Sequence, residues 1–226
     1  MLLSLIPVLY RRSRAKMLGI ALLTALAAGT IHADEIAIAR FGADGLKGWD
    51  TKSFQGTTDY QLVHEDGRTV LKAHAKGAAS GKIKKISFDP TRYRYLQWSW
   101  KVAGTLTKGD EKTKQGDDYS ARVYVVVPGR FFWQMRAINY IWANKLPRGE
   151  FVPNAFTSHA MLLAVESGPA KTGQWINEKR DILADYRRMF GADPPQAGGV
   201  AIMTDTDNTG AEAFAWYGDI TLLTTP

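Results

Sequence analysis

The chain contains no cysteine. Disulfides, thiolate metal sites, a cysteine nucleophile and a lipid anchor on a processed cysteine are all excluded, so a hydrophobic core must hold the fold unaided. Histidine is almost as scarce, with four in 226 residues. His64, His74 and His159 are isolated, and no HExxH pair or other ligand spacing connects them. The nucleophile elbow GxSxG, a phosphate-cradling glycine loop and a dinucleotide fingerprint are also missing. Serine hydrolases, kinases and redox enzymes are therefore disfavoured. No internal repeat or low-complexity linker occurs either.

The first 33 residues differ from the rest. "YRRSRAK" is basic, "MLGIALLTALAAG" is apolar and "IHADE" places the small Ala33 before a polar start. That order is a secretory signal peptide with a long basic n-region, cut after Ala33 to leave 193 residues. At 13 residues the apolar run is shorter than the roughly 20 that cross a bilayer. Arg11 and Arg12 do not sit in a convincing twin-arginine context. Removing Arg11, Arg12, Arg14 and Lys16 lowers the net charge from +7 to +3. The basic isoelectric point is thus partly a property of the leader, and it argues poorly for nucleic-acid binding. Lys82, Lys84 and Lys85 form the tightest remaining basic cluster, expected to guard a solvated strand edge rather than bind phosphate.

What the mature chain does have is aromatic residues and period-two alternation. "DYQLVHE" and "RTVLKAHAK" flank the turn sequence "EDGR" and predict a hairpin. "RYLQWSWKV" puts Leu96, Trp98, Trp100 and Val102 on one face; "SARVYVVV" does the same for Val123, Val125 and Val127. "INYIWAN", "HAMLLAVES", "GGVAIMTD" and "AFAWYGDITLLT" are further strands. Eight to ten short strands predict a mainly β protein, a single jelly-roll-like antiparallel β-sandwich over residues 34–226. One helix is expected near residues 182–190, capped by Asp181 and ended by Gly191. Residues 104–118 are polar and glycine-bearing, a long exposed loop or lid.

Three stretches could carry chemistry. In "MTDTDNTG", Asp205 and Asp207 resemble the start of an EF-hand loop, but the bidentate glutamate at its end is replaced by Trp216. A looser calcium site on Asp205 and Asp207 competes with a plain hairpin turn closed by Gly210. In "GDDYSARVY", strand parity puts Asp118, Ser120, Arg122 and Tyr124 on one side. A carboxylate, a guanidinium and a phenol in a row suit saccharide hydroxyls and pyranose faces, although an Asp118–Arg122 ion pair would account for two of them. In "GQWINEKRD", Glu178 and Arg180 share a face. Glu178 becomes a catalytic candidate if burial raises its pKa, and otherwise is an ion-pair partner.

The segments "KGDEKTKQGDDYSARVYVVV", "AINYIWAN", "SGPAKTGQWINEKRDILADYRRMFG" and "MTDTDNTGAEAFAWYGDI" resemble, in that order, a family of secreted bacterial proteins catalogued as domain of unknown function 3047. The resemblance runs from about Phe41 to the C-terminus and implies an exported, mainly β protein. It implies no activity, substrate or catalytic residue. More loosely, "FGADGLKGWDTKSF" and "LKAHAKGAASG" are similar to the opening of jelly-roll carbohydrate-binding modules.

The expectation is a periplasmic or secreted monomer that binds a polysaccharide or small polar ligand on one polar sheet face. Asp118, Arg122, Tyr124, Glu178, Arg180, Gln97 and Ser99 would form that face, with Asp205 and Asp207 at its rim. No organic cofactor, nucleic-acid partner or mature membrane span is expected, and calcium is the cation the rim would hold. The alternative is a glycan-cleaving hydrolase or lyase using carboxylates of the same face.

Overall fold

The computed structural model describes residues 34–129, 131 and 134–226, so the leader and its cleavage position lie outside the described residues. The chain opens with β1 (Glu35–Ala39), a short helix α1 (Phe41–Asp44), β2 (Trp49–Gln55), β3 (Asp59–Glu65) and β4 (Arg68–Lys76). It continues through β5 (Ala79–Phe88), β6 (Tyr95–Val102), β7 (Arg122–Val127), β8 (Arg136–Ala143) and β9 (Phe151–Asn154). β10 (Thr157–Ser167), β11 (Ile176–Asp181), α2 (Ile182–Phe190), β12 (Ala197–Asp205) and β13 (Glu212–Leu223) complete it.

These strands form two sheets. One runs β11-β6-β13-β4-β3 with β1 on β13, and the other runs β2-β5-β12-β7-β8-β10-β9. Alternation explains how they face each other. Leu96, Trp98, Trp100 and Val102 point inward from β6, while Val123, Val125 and Val127 point inward from β7. Trp98 packs edge-on against Trp100 at 5.4 Å between ring centroids and tilts against Tyr140 of β8 at 5.3 Å. Such rings bury large apolar areas, which is how a fold without disulfides is held together.

Local signals match the expected elements closely. The β3–β4 turn is Asp66-Gly67, both at positive φ (51° and 77°), as a two-residue hairpin loop demands. The Asp181 side chain accepts from the Ala184 N–H at 3.0 Å, and Gly191 ends α2 at φ 67°. Ile182 and Tyr186 carry the helix into the core, closing one end of the sandwich. No helix among the described residues is long and apolar enough to cross a membrane.

Three expectations need correction. Thirteen strands form among the described residues; β1, β2, β5 and β9 go beyond those expected and owe their place to tertiary pairing. The sheets are not antiparallel throughout: β8 and β10 pair in parallel, across the connection of residues 144–156 that contains β9. Finally, Lys82, Lys84 and Lys85 do not guard an edge, since their strand β5 lies between β2 and β12. Lys84 instead donates to the Lys47 carbonyl at 2.7 Å.

The 104–118 loop is firmly tied down. Buried Glu111 accepts backbone N–H bonds from Asn144 (2.6 Å) and Leu146 (3.0 Å) and from Lys145 between them. Asn144 in turn accepts from Leu106 N–H and donates to the Asp118 carbonyl. Beside this loop, Tyr119, Ile141, Ala143, Leu146, Leu162 and Ala164 make a second small apolar cluster on the outer face of the seven-stranded sheet.

Candidate functional site

The outer face of that sheet divides into a covered half and an open half. Register defines its rows. Asp50, Ile83, Ala201, Tyr124, Asn139 and Leu162 are successive cross-strand partners over six strands. Five spacings of about 4.8 Å make such a row roughly 24 Å long. The next row in one direction is Lys52, Gly81, Met203, Arg122 and Ile141; in the other it is Lys85, Gly199, Val126, Ala137 and Ala160. The small residues among these let the surface dip. A Cβ on Gly81 would come within 2.8 Å of the Ile202 carbonyl, so the strands approach closely there.

The result is an open groove of about 900 Å³. Gly81, Ile83, Ala201, Met203, Tyr124, Val126, Ala137 and Ala160 floor it. Asp50, Lys52, Phe54 and Lys85 border it on one side and Met135, Thr157 and His159 on the other, while the side chains of Lys82 and Arg136 belong to the inner face, in register with Ile202 and Val127. Phe54 and Met135 are half or more exposed. The Tyr124 hydroxyl reaches only the Met203 sulfur, at 3.4 Å, and burial raises its pKa, so it stays protonated. Beside it on the same face, the buried Asn139 has an Oδ1 with no hydrogen-bond partner.

Toward the tied-down loop the groove meets a charged block. Arg122 and Asp205, both almost wholly buried, form a bidentate pair in which Nε lies 2.9 Å from Oδ1 and Nη2 contacts Oδ2. The guanidinium also lies over the Tyr119 ring at 4.5 Å. Burial works against its charge, but Tyr124, Asp117, Tyr119 and Asp118 outweigh it and raise the pKa of Arg122. Asp118 accepts from the Asn208 and Thr209 N–H groups, and so caps the turn that follows Asp205. That turn closes when Gly210, at φ 65°, donates to the Thr206 carbonyl. Carboxylate oxygens of Asp118, Asp205 and Asp207 come within 4.8 Å of one another. Burial, and then Asp118, push the Asp207 pKa up. Asp205 spends both oxygens on Arg122, and Asp118 spends both on the turn.

The nine residues expected to form one face and its rim do not share a hollow. Asp118, Arg122, Tyr124, Asp205 and Asp207 do gather on or beside the seven-stranded sheet. Within that group Tyr124 lines the groove; Arg122 and Asp118 are locked by their own partners. Gln97 and Ser99 lie on the opposite outer surface, in a small polar pocket of about 230 Å³ with Arg68 and Asp219. Ser99 accepts from Arg68 at 3.2 Å. Glu178 and Arg180 sit on β11, the edge of the six-stranded sheet, and turn inward. Arg180 is clamped to Asp185 (Nε–Oδ2 3.0 Å), while Glu178 Oε1 is buried with no hydrogen-bond partner. Burial and the neighbouring Glu166 raise the Glu178 pKa to about 7. Strand parity alone cannot say which sheet a polar face belongs to, and that is why these residues were grouped together. The groove floor was missed because glycine and alanine on four strands carry no individual signal.

The family model described as Protein of unknown function (DUF3047) matches residues 47–221. No curated protein matches the chain. Among solved structures, the chain is similar to a family 30 carbohydrate-binding module of a cellulosomal cellulase of Clostridium thermocellum. Identity there is 12%, coverage 83% of this chain and 95% of that one, and the TM-score 0.47. A family 11 module of another cellulase from that organism is similar at 8% identity, covering 86% of this chain and 95% of that one, with TM-score 0.46. At this level the likeness says nothing about ligands or residue roles.

Proposed function

For this chain, which belongs to the DUF3047 family of proteins of unknown function, we propose that the open groove binds an extended saccharide chain. The observation that supports this most is the groove itself, crossing six strands with an apolar floor and a rim of hydrogen-bonding groups. Binding sites commonly combine such an apolar base with a few convergent polar groups. Sugar rings present C–H faces that pack on Tyr124, Ala201 and Ile83, while their hydroxyls reach Lys52, Thr157 and His159 along the walls. An acyl chain suits the groove less well, because one side of it would stay in water.

The glycan-cleaving alternative needs two carboxyl groups flanking one bond. Asp118 caps a turn near Asp205, whereas Glu178 lies inward on the other sheet, so binding is the reading the geometry favours. Secretion to the periplasm or beyond remains part of the proposal, resting on the leader's composition. Titration of a panel of soluble glycans against wild type and Ala201→Trp tests the site. Ala201 faces the groove and not the core, so the indole should fill the floor and abolish binding while the fold is kept. Retained binding in a folded Ala201→Trp would remove the groove from consideration.

A further inference from the structure

Two polar groups at the foot of the groove lack a good partner. Tyr124 and Asn139 are directly opposed across β7 and β8 on the outer face, so their Cβ atoms stand about 5 Å apart. The Tyr124 hydroxyl meets only the Met203 sulfur, at 3.4 Å, and a thioether is a weak acceptor. Asn139 is 2% exposed, and its Oδ1 is buried with no hydrogen-bond partner. A buried carbonyl left unpaired is costly. Of the five side-chain atoms in this condition among the described residues, the other four belong to Trp98, Trp100, Tyr140 and Glu178, which point between the sheets. Only Asn139 faces outward. Its neighbours are small where the groove runs. Ala137 lies two residues back on β8, Val126 and Ala160 are the cross-strand partners of Ala137, and Ala201 is the partner of Tyr124. All four floor the groove. A hydroxyl donor, an unpaired acceptor and a bed of methyl groups therefore meet in one place.

We infer that the groove selects saccharides that carry acetamido groups, the N-acetylated amino sugars. This rests on the groove being the saccharide site proposed above, and adds the substituent that the site reads. An acetamido group offers one N–H, one carbonyl and one methyl. Its N–H supplies the donor that Asn139 Oδ1 lacks, its carbonyl accepts from the Tyr124 hydroxyl, and its methyl packs on Ala137 and Ala201. Burial raises the Tyr124 pKa, so the hydroxyl keeps its proton and remains a donor. A plain sugar hydroxyl satisfies the site less well. It can donate to Oδ1, but its own lone pairs then lie against alanine and valine, and no methyl covers the floor. A site whose buried polar groups are matched only by the right ligand discriminates more sharply than apolar contact alone.

The test uses the mature protein in calorimetric titrations, with chitohexaose and cellohexaose as probes. The two chains share ring and linkage and differ only in whether each ring bears an acetamido group or a hydroxyl beside its anomeric carbon. Four proteins are compared: wild type, Tyr124→Phe, Asn139→Leu and Ala201→Trp, each checked for folding by near-ultraviolet circular dichroism. The inference expects wild type to bind chitohexaose roughly tenfold or more tightly than cellohexaose. Tyr124→Phe and Asn139→Leu should each lose most of that preference while cellohexaose affinity holds. If Asn139→Leu fails to fold, Tyr124→Phe, which deletes a single oxygen, decides alone. Equal affinity for the two hexaoses, blocked by Ala201→Trp, would overturn the acetamido selection and leave the groove standing. A preference for chitohexaose that Tyr124→Phe keeps in full would do the same. Binding of neither hexaose would also overturn the selection, with the groove judged separately on the wider glycan panel. Binding that survives Ala201→Trp would overturn the groove reading and this inference together.

Discussion

The two outer faces of the sandwich make an instructive pair. On the six-stranded sheet the outward aromatic rings are covered by the protein's own cations. Arg68 lies 4.0 Å from the centre of the Trp175 ring, Lys101 4.6 Å from Trp216, and Lys72 5.5 Å from Phe214, on which His74 also stacks at 4.2 Å. The rings and charges of that face already satisfy each other. On the seven-stranded sheet the outward residues are smaller, half of the surface is packed under a pinned loop, and the other half stays open. Alternation tells which residues leave the core. Whether they then meet a partner or an empty trough depends on register and on long connections.

The largest expected effect comes from the boundary between the covered and open halves. Arg122→Ala leaves Asp205 buried without its partner, and denaturant unfolding should show a loss of about 3–5 kcal/mol. A near-neutral result would mean that the pair does not anchor this face. For the same reason Arg122→Ala is a poor probe of ligand contact. Glu111→Ala removes the acceptor for three consecutive N–H groups; we expect about 1–3 kcal/mol of destabilisation, with hydrogen exchange at Asn144–Leu146 accelerating more than exchange in β3 and β4. Uniform acceleration across both sheets would deny the loop its specific role.

A third prediction concerns pH. Glu178 titrates at about 7 in the fold against 4.5 ordinarily, because burial and Glu166 favour its neutral form. The folded state then holds the extra proton between those values, so this residue makes stability fall as pH rises from about 4.5 to about 7, by roughly 1–3 kcal/mol in total, with no further loss above. Glu178→Gln should flatten that part of the stability profile. An unchanged slope would show that Glu178 is not the titrating group. The smallest effect belongs to the self-covered face: Arg68→Ala should cost under about 1 kcal/mol and leave saccharide binding untouched. A large loss of binding there would reverse the roles of the two faces.

Much of the fold was legible from particular residues. The Asp66-Gly67 turn fixed the β3–β4 hairpin, and Asp181 with Gly191 bounded α2, because caps and positive-φ turns are local chemistry. The sandwich followed from Trp98, Trp100 and the β7 valines. The candidate site was far less legible. Of the proposed face only Tyr124 lines the groove, since parity groups Glu178 with Arg180 and Gln97 with Ser99 but is silent on which sheet, and which side of it, each pair occupies. Gly81, Ala201 and Ala137 form the floor through cross-strand register, a long-range property that no single segment encodes.

The central claim, that the open trough and not the self-covered face is where ligand sits, can be tested most directly by following backbone amide resonances while soluble glycan oligomers are added. Shifts should cluster at Lys52, Gly81, Tyr124, Ala137 and Ala201. Shifts concentrated instead at Gln97, Ser99, Trp175 and Trp216 would contradict it.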